Sequence, residues 1–424
     1  MSNNKKSNAE GYERISQGQL DEIIKKHTNF VQGKMGGARA VLKFKNLSRL
    51  DFKGCDLSGA DFTGSIFANA NLAGGKFVGS VFFACDLQNA NLERANFGRA
   101  DFRGAFVAGA NLFGADLGSA DLREGHMLEK KRGKPIESME ADQGGVTRTV
   151  FAGARMVATN LSGARATAAD FSEADLSGVV IKDADLRQVN FQGANLSEAD
   201  FSGSDLRQAN LKSTIMKGTI LNHAETAGLN KDAAITDEAL GKKLADTGKT
   251  IADILKDHAM WVRTFGKEGA QMDLSAYDLR EVKDLARYPM IAVKAVDAVF
   301  IGMNLNEAQM QSSNFTNANF RDCKLKKSDL RGSNFTNAQM SRVDLTGANL
   351  AALQLGKDTD KRMQKTNFSG AILRFANLSG ANLANSILTG ADLTGANLNG
   401  ADLRETSLEG VILEGTNIEA AIKS

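Results

Sequence analysis

From Leu42 to Leu122 an apolar residue, usually Leu or Phe, falls at every fifth position without a break, beginning with Leu47, Phe52, Leu57, Phe62, Phe67 and Leu72. Two places before each sits a small residue, such as Ala60, Ala70, Ala90, Ala95 or Ala100, and the residue between is often Asp or Asn. The same frame returns over Phe151–Leu221, Phe300–Leu355 and Met363–Ile418. A period of five suits neither regular element. On an α-helix it would scatter the leucines around the circumference, and on a flat strand they would alternate faces. One face collects them only if the chain turns a corner every five residues, and the glycines flanking the central residue fit such corners.

The longest internal identities set the number of sides. SNFTNA occurs at Ser313–Ala318 and at Ser333–Ala338, and DLRQ at Asp185–Gln188 and at Asp205–Gln208. Each pair lies four units apart, which predicts a square coil whose backbone pairs with its neighbours at about 4.8 Å. The chain has only two prolines, as expected where each would remove a ladder donor. Cys55, Cys85 and Cys323 each occupy the small position, so they are read as buried small hydrophobes. Cys55 and Cys85 fall on opposite sides of the square, and no disulfide is expected between them.

These residues resemble the pentapeptide-repeat family over most of the chain. The resemblance implies an all-β solenoid, a right-handed quadrilateral parallel β-helix, with the central Leu or Phe and the small residue pointing inward. It implies little about function, because the family serves many roles.

Breaks in the frame divide the chain. Residues 1–15 are polar and expected to be disordered, 16–36 to form a helical cap, and 37–124 to form solenoid. Residues 125–146 are charged and turn-rich, and read as an inserted loop carrying the basic run Lys130, Lys131, Arg132 and Lys134. Solenoid continues over 147–221. Residues 222–271 read as a helical linker and second cap, with Thr236 and Thr250 as helix starts, and 272–421 as a second solenoid with a bulge at 356–362. The two caps align: Leu20–Val31 with Ile251–Val262, then Leu42 with Leu274 and Leu47 with Leu279. Each opens on a capping-box pattern, Ser16 with Gln19 and Thr250 with Asp253. The chain thus reads as a duplicated module, two rods each with an N-terminal α-helical cap shielding the open edge of its first coil. His27 and Phe30, with His258 and Trp261, are assigned as structural cap residues.

Function is approached by exclusion. The formal net charge is +2; residues 40–124 carry nine basic and nine acidic side chains and residues 147–221 eight of each, so no direct nucleic-acid binding is expected. The start lacks the apolar stretch of a signal peptide, and no membrane span is expected; a cytoplasmic, bacterial protein is expected. Four scattered histidines and three cysteines without metal-type spacing give no metal or cofactor site. The recurring Asp residues read as corner-bonding groups, and no catalytic motif is found, so no enzyme is expected. Arg187 and Arg207, each beside an Asp, read as a salt-bridge ladder. Apolar residues at outward positions, Ile66, Val78, Phe83, Phe106 and Phe113, are the candidate partner surface. The leading reading is a non-enzymatic scaffold presenting flat β-helix faces to an unidentified protein partner. The alternative, implied by the resemblance, is a DNA-mimicking modulator of a type II topoisomerase (DNA gyrase). A homodimer through the C-terminal end is a further expectation.

Overall fold

The computed structural model describes residues 11–126, 146–356, 362–418 and 420–423. Most of the expected disordered start (1–10), the tip of the first insert with its basic run (127–145) and part of the second (357–361) lie outside the described residues. The chain divides into two compact units, Met1–Asp237 and Glu238–Ser424.

The five-residue step turns corners by one device. After each central residue comes a tight turn whose third residue has positive φ. Glycine meets that demand freely; here Arg49, Asn69 and Asn89 hold φ of 63°, 60° and 55°, as the third position of a type II turn requires. The turn closes on the backbone, with the Cys55 N–H donating to the Phe52 carbonyl at 3.2 Å. The residue before the centre adds a second lock, because its carboxylate or amide oxygen accepts the N–H two residues on. Asp51, Asp61 and Asp101 accept from Lys53, Thr63 and Arg103 at 3.0–3.1 Å. The corner-bonding role read for the aspartates is the one observed.

Away from the inserts and the first coil of unit 2, each coil pairs in parallel with the next at a spacing of 20 residues, as in Asp51 with Asn71 and Asn71 with Asn91. Four five-residue segments therefore make one coil of a β-solenoid, and equal positions stack in columns. Inside, the columns bring like side chains together: Phe62, Phe82 and Phe102 stack with centroids 4.9 and 5.0 Å apart, and Phe300 stacks on Phe320 at 4.5 Å. Several small polar residues at the inward position also find partners. Ser80 donates to the Leu57 carbonyl at 2.9 Å, and the thiols of Cys85 and Cys323 approach those of Phe62 and Phe300 at 3.0 and 3.4 Å. Both cysteines are buried and unpaired.

Unit 1 begins with a short strand, β1 (Glu13–Arg14), and helix α1 (Gln17–Val31). Strand β1 pairs in parallel with β2 (Lys45–Asn46) on the first coil, so the C-terminal part of the expected disordered start is ordered by non-local pairing. The first insert leaves and rejoins the solenoid as an antiparallel pair, β3 (Gly125–His126) and β4 (Val146–Thr147). Beyond Leu221 the structure departs from expectation. Residues 222–235 are not a helical linker; they form a further coil, with bridges from Asp205 to Glu225, Asn210 to Asn230 and Ile215 to Ile235, and Thr236 starts no helix. This coil holds Thr226 and Lys231 at central positions. Neither is buried, so polarity there costs little, and the turns and ladder bonds suffice.

Unit 2 repeats the opening of unit 1. Strand β5 (Lys242–Lys243) runs into a single 3-10 turn, Leu244–Thr247, then helix α2 (Ile251–Arg263), and β5 pairs in parallel with β6 (Tyr277–Asp278). The bulge is an antiparallel pair, β7 (Leu353–Leu355) and β8 (Arg362–Gln364). Each unit has its own continuous apolar core.

Candidate interaction surface

The helices come first, because they bear the assigned cap residues. Ser16 and Gln19 close a reciprocal capping box on α1, as Thr250 and Asp253 do on α2. His27 is buried, and its ring spans the helix and the first coil. Nδ1 accepts the Ala40 N–H at 2.9 Å and Nε2 faces the Ser58 carbonyl at 3.1 Å, which fixes the neutral tautomer with the proton on Nε2. Burial holds its pKa below the usual histidine value. Gln17 takes a second pair of edge groups, accepting the Asp51 N–H at 2.9 Å and donating to the Asp51 carbonyl at 3.0 Å. In unit 2 the His258 Nδ1 accepts the Met272 N–H at 3.0 Å, while Nε2 makes no hydrogen bond of good geometry among the described residues and lies near the Ile291 backbone. Phe30 and Trp261 sit beside these rings, at 5.8 and 5.7 Å between centroids. Phe30 is nonetheless 48% exposed, so it flanks the buried contact and does not fill it.

The candidate partner residues are not on one face. The 20-residue register puts Ile66 and Phe106 in a single column, through Asp86, while Val78 and Phe113 belong to other corners of the coil. Phe83 stands at the turn leading into the Ile66–Phe106 side. Ile66 is buried, and Val299, its counterpart on the second coil of unit 2, is buried as well. Both stand one coil beyond a residue paired with the preceding strand, Asn46 and Asp278 respectively. Val78, Phe83, Phe106 and Phe113 are half-buried. Phe113 lies beneath Arg155 and Arg94, whose guanidinium carbons are 4.6 and 5.7 Å from the ring, and Phe83 beneath Arg103 at 5.5 Å. The structure thus gathers Ile66, Phe83 and Phe106 and separates Val78 and Phe113.

Several carboxylates of unit 1 are neutralised within their columns. Arg187 chelates Asp185 at 2.7 Å and reaches Asp205 at 3.7 Å, and Arg207 chelates Asp205 at 2.5 Å, forming the expected ladder. It has counterparts in Arg103 on Asp101 and Arg123 on Asp121. The Arg187 guanidinium holds the Asp185 carboxyl down at about 2. Asp86 is different. It is 4% exposed, burial pushes its carboxyl up to about 6, and its one recorded donor is the Gln88 N–H at 3.0 Å. Half-buried Tyr12 from the segment before β1 lies near it, and burial followed by the proximity of Cys85 and Asp86 raises the phenol.

Two residues escaped the sequence reading. Thr149 and Thr366 occupy the inward small position where the chain rejoins the solenoid after each insert. The Thr149 hydroxyl donates to the Arg123 carbonyl at 2.7 Å and accepts the Gly104 N–H at 2.9 Å; Thr366 does the same with Ala351 and Gly332 at 2.9 and 2.8 Å. The signal was present as a hydroxyl at the first small position after each break.

Among the described residues no group of three His, Cys, Asp or Glu is placed to hold a metal, and no helix is long and apolar enough to cross a membrane. The family model described as pentapeptide repeats matches in eight copies, over residues 46–82, 80–118, 147–183, 184–222, 291–322, 313–350, 362–390 and 386–422. No curated protein matches the chain. Solved structures similar to it include QnrB1, a plasmid-mediated fluoroquinolone resistance protein, at 20% identity over 47% of this chain and 90% of that one, with a TM-score of 0.29. HetL, a protein involved in heterocyst differentiation regulation in the cyanobacterium Nostoc, matches at 16% identity over 96% of both chains with a TM-score of 0.17. Rfr23 from the cyanobacterium Cyanothece matches at 23% identity over 37% of this chain and 90% of that one, with a TM-score of 0.20.

Proposed function

This chain belongs to the pentapeptide-repeat family, and from that premise we propose that it is a non-enzymatic scaffold whose solenoid faces bind a protein partner. Each unit is read as a right-handed quadrilateral rod, with α1 and α2 capping its first coil. One observation carries the functional reading. The inward side chains form a filled core, while the outward columns are regularly spaced and several of their charges are paired in place. Such a surface offers extended shape complementarity and little chemistry. A cytoplasmic location is part of the same reading, and the free thiols of Cys55, Cys85 and Cys323 suit a reducing compartment.

DNA mimicry of a type II topoisomerase ligand is the second reading. It needs an acidic surface, and the arginine ladders of unit 1 work against that. The terminal coil leans acidic, with Glu405, Glu409 and Glu414 exposed. A homodimer through that coil would bring these carboxylates together, which places a cost on the expected C-terminal pairing. Two experiments test the proposal. Affinity capture of the full chain from its own cells, with mass spectrometry, should recover a stoichiometric protein partner. A gyrase supercoiling assay should show no inhibition; inhibition at stoichiometric levels would overturn the scaffold reading in favour of the second.

A further inference from the structure

Ile66, Asp86, Phe106 and Val150 occupy one outward column on four successive coils of unit 1. At the spacing between coils, about 4.8 Å, they define a strip of roughly 15 Å. Phe83 stands at the turn beside Asp86, and Phe44 lies one corner turn before the Ile66 side, its ring covering Gly64 so closely that a Cβ there would be 2.5 Å from it. The strip is therefore apolar except at Asp86.

That carboxylate lacks the cation that the other buried aspartate, Asp392, has in Arg374, and that several half-buried ones have. Asp101, Asp121, Asp185 and Asp205 each hold an arginine, and Asp61 and Asp200 hold Lys43 and Lys182 at 2.8 and 2.9 Å. Asp86 is 4% exposed, accepts the Gln88 N–H on Oδ1, and forms no ion pair among the described residues. Arg103, which lies over the Phe83 ring, is already committed to Asp101. A buried carboxylate with no cation costs stability, and an incoming ammonium or guanidinium would relieve that cost. Tyr12 and the Cys85 thiol lie near it, and neither is cationic.

We propose that this corner, Ile66, Phe83 and Phe106 around Asp86, docks a segment of a protein partner that carries a lysine or arginine between apolar side chains. The cation pairs with Asp86 while the flanking side chains cover Phe83 and Phe106. The inference rests on the scaffold reading but narrows it to one corner and one partner chemistry.

The test uses the full chain and an array of synthetic peptides with a central Lys flanked by Leu or Val, alongside matched peptides with Gln or Glu in place of Lys. The expected result is retention of the Lys series, with the Glu series weaker by about tenfold or more. Asp86→Asn should erase the preference for Lys over Gln, Phe83→Asp should abolish binding, and Phe113→Asp, at another corner, should leave it unchanged. Asparagine is native at this repeat position elsewhere, as at Asn71 and Asn91, so a loss in Asp86→Asn cannot be laid to misfolding. Lys-peptide binding that is indifferent to Phe83→Asp and Asp86→Asn would overturn the corner assignment and leave the scaffold reading intact. Absence of any Lys preference in the parent chain would overturn the proposal outright, while affinity capture would still decide the scaffold reading separately.

Discussion

Asp86 shows how one residue departs from its repeat. Asp at this position normally accepts a corner N–H and faces water or a cation; here apolar neighbours in the column remove both. Its pKa rises from 3.8 to about 6, so the folded state binds the proton more tightly than the unfolded chain. The contribution to stability is fully present below the unfolded value and is lost as pH rises through about 6. Asp86→Asn is therefore expected to stabilise the protein above that pH, by about 2–3 kcal/mol at most, and to have little effect near pH 4. Denaturant unfolding of both proteins at pH 4, 6 and 8 checks this, and equal destabilisation at every pH would contradict it. Thr149 departs in the opposite sense, gaining bonds where the chain breaks. Thr149→Val keeps the shape but removes the hydroxyl shared by Gly104 and Arg123, and should cost about 1–3 kcal/mol. The equivalent change at Ser80, which makes one such bond to an unbroken coil, should cost less.

At the scale of elements, helices α1 and α2 and the strands before them divide what sequence can and cannot announce. The helices were legible because Leu20, Ile23 and Ile24, and Ile251, Ile254 and Leu255, recur at helical spacing behind capping-box residues. Strands β1 and β5 were not, since two residues carry no periodicity and their pairing is decided by coils some thirty residues on. The last coil of unit 1 was hidden for a related reason: Thr226 and Lys231 break the apolar period where burial no longer demands it. The candidate partner residues, scattered over the coil, are a different failure of reading. Five outward apolar residues looked like a patch along the chain, yet position within a 20-residue coil, and not order in sequence, decides which share a corner. The cap histidine carries its own expectation. Its Nδ1 must stay unprotonated to accept the Ala40 N–H, and its folded pKa lies below the unfolded 6.5. The cap contact is thus fully stable above pH 6.5 and weakens as pH falls through the lower folded value. The hydrogen-exchange protection of Ala40, corrected for intrinsic rate, should fall more steeply on acidification than that of Asn71, an amide bonded only to backbone; parallel changes in protection would refute it.

At the scale of the whole molecule, two separate apolar cores raise the question of how many folding units the chain contains. In a solenoid each coil contacts only its neighbours, so stability is a sum of local terms and a defect spreads along its own stack. Helices α1 and α2 provide matched defects. Gly37 and Gly269 sit where the chain passes the helix backbone; a Cβ on Gly37 would lie 2.4 Å from the Phe30 nitrogen, and one on Gly269 2.2 Å from the Asp257 carbonyl oxygen. Gly269 also has a φ of 77°, so a side chain there is strained twice over. Valine at either place must push its helix off the first coil and strip the His27 or His258 contact with it. Calorimetry of the full chain should then show two transitions, with Gly37→Val lowering one and Gly269→Val the other, each by several degrees. If both substitutions move a single transition together, the two cores are energetically one and the duplicated-module description fails as thermodynamics even though it holds as sequence. If they move separate transitions, either unit can be weakened without loss of the other, and the corner around Asp86 can be altered in unit 1 while unit 2 keeps its faces intact.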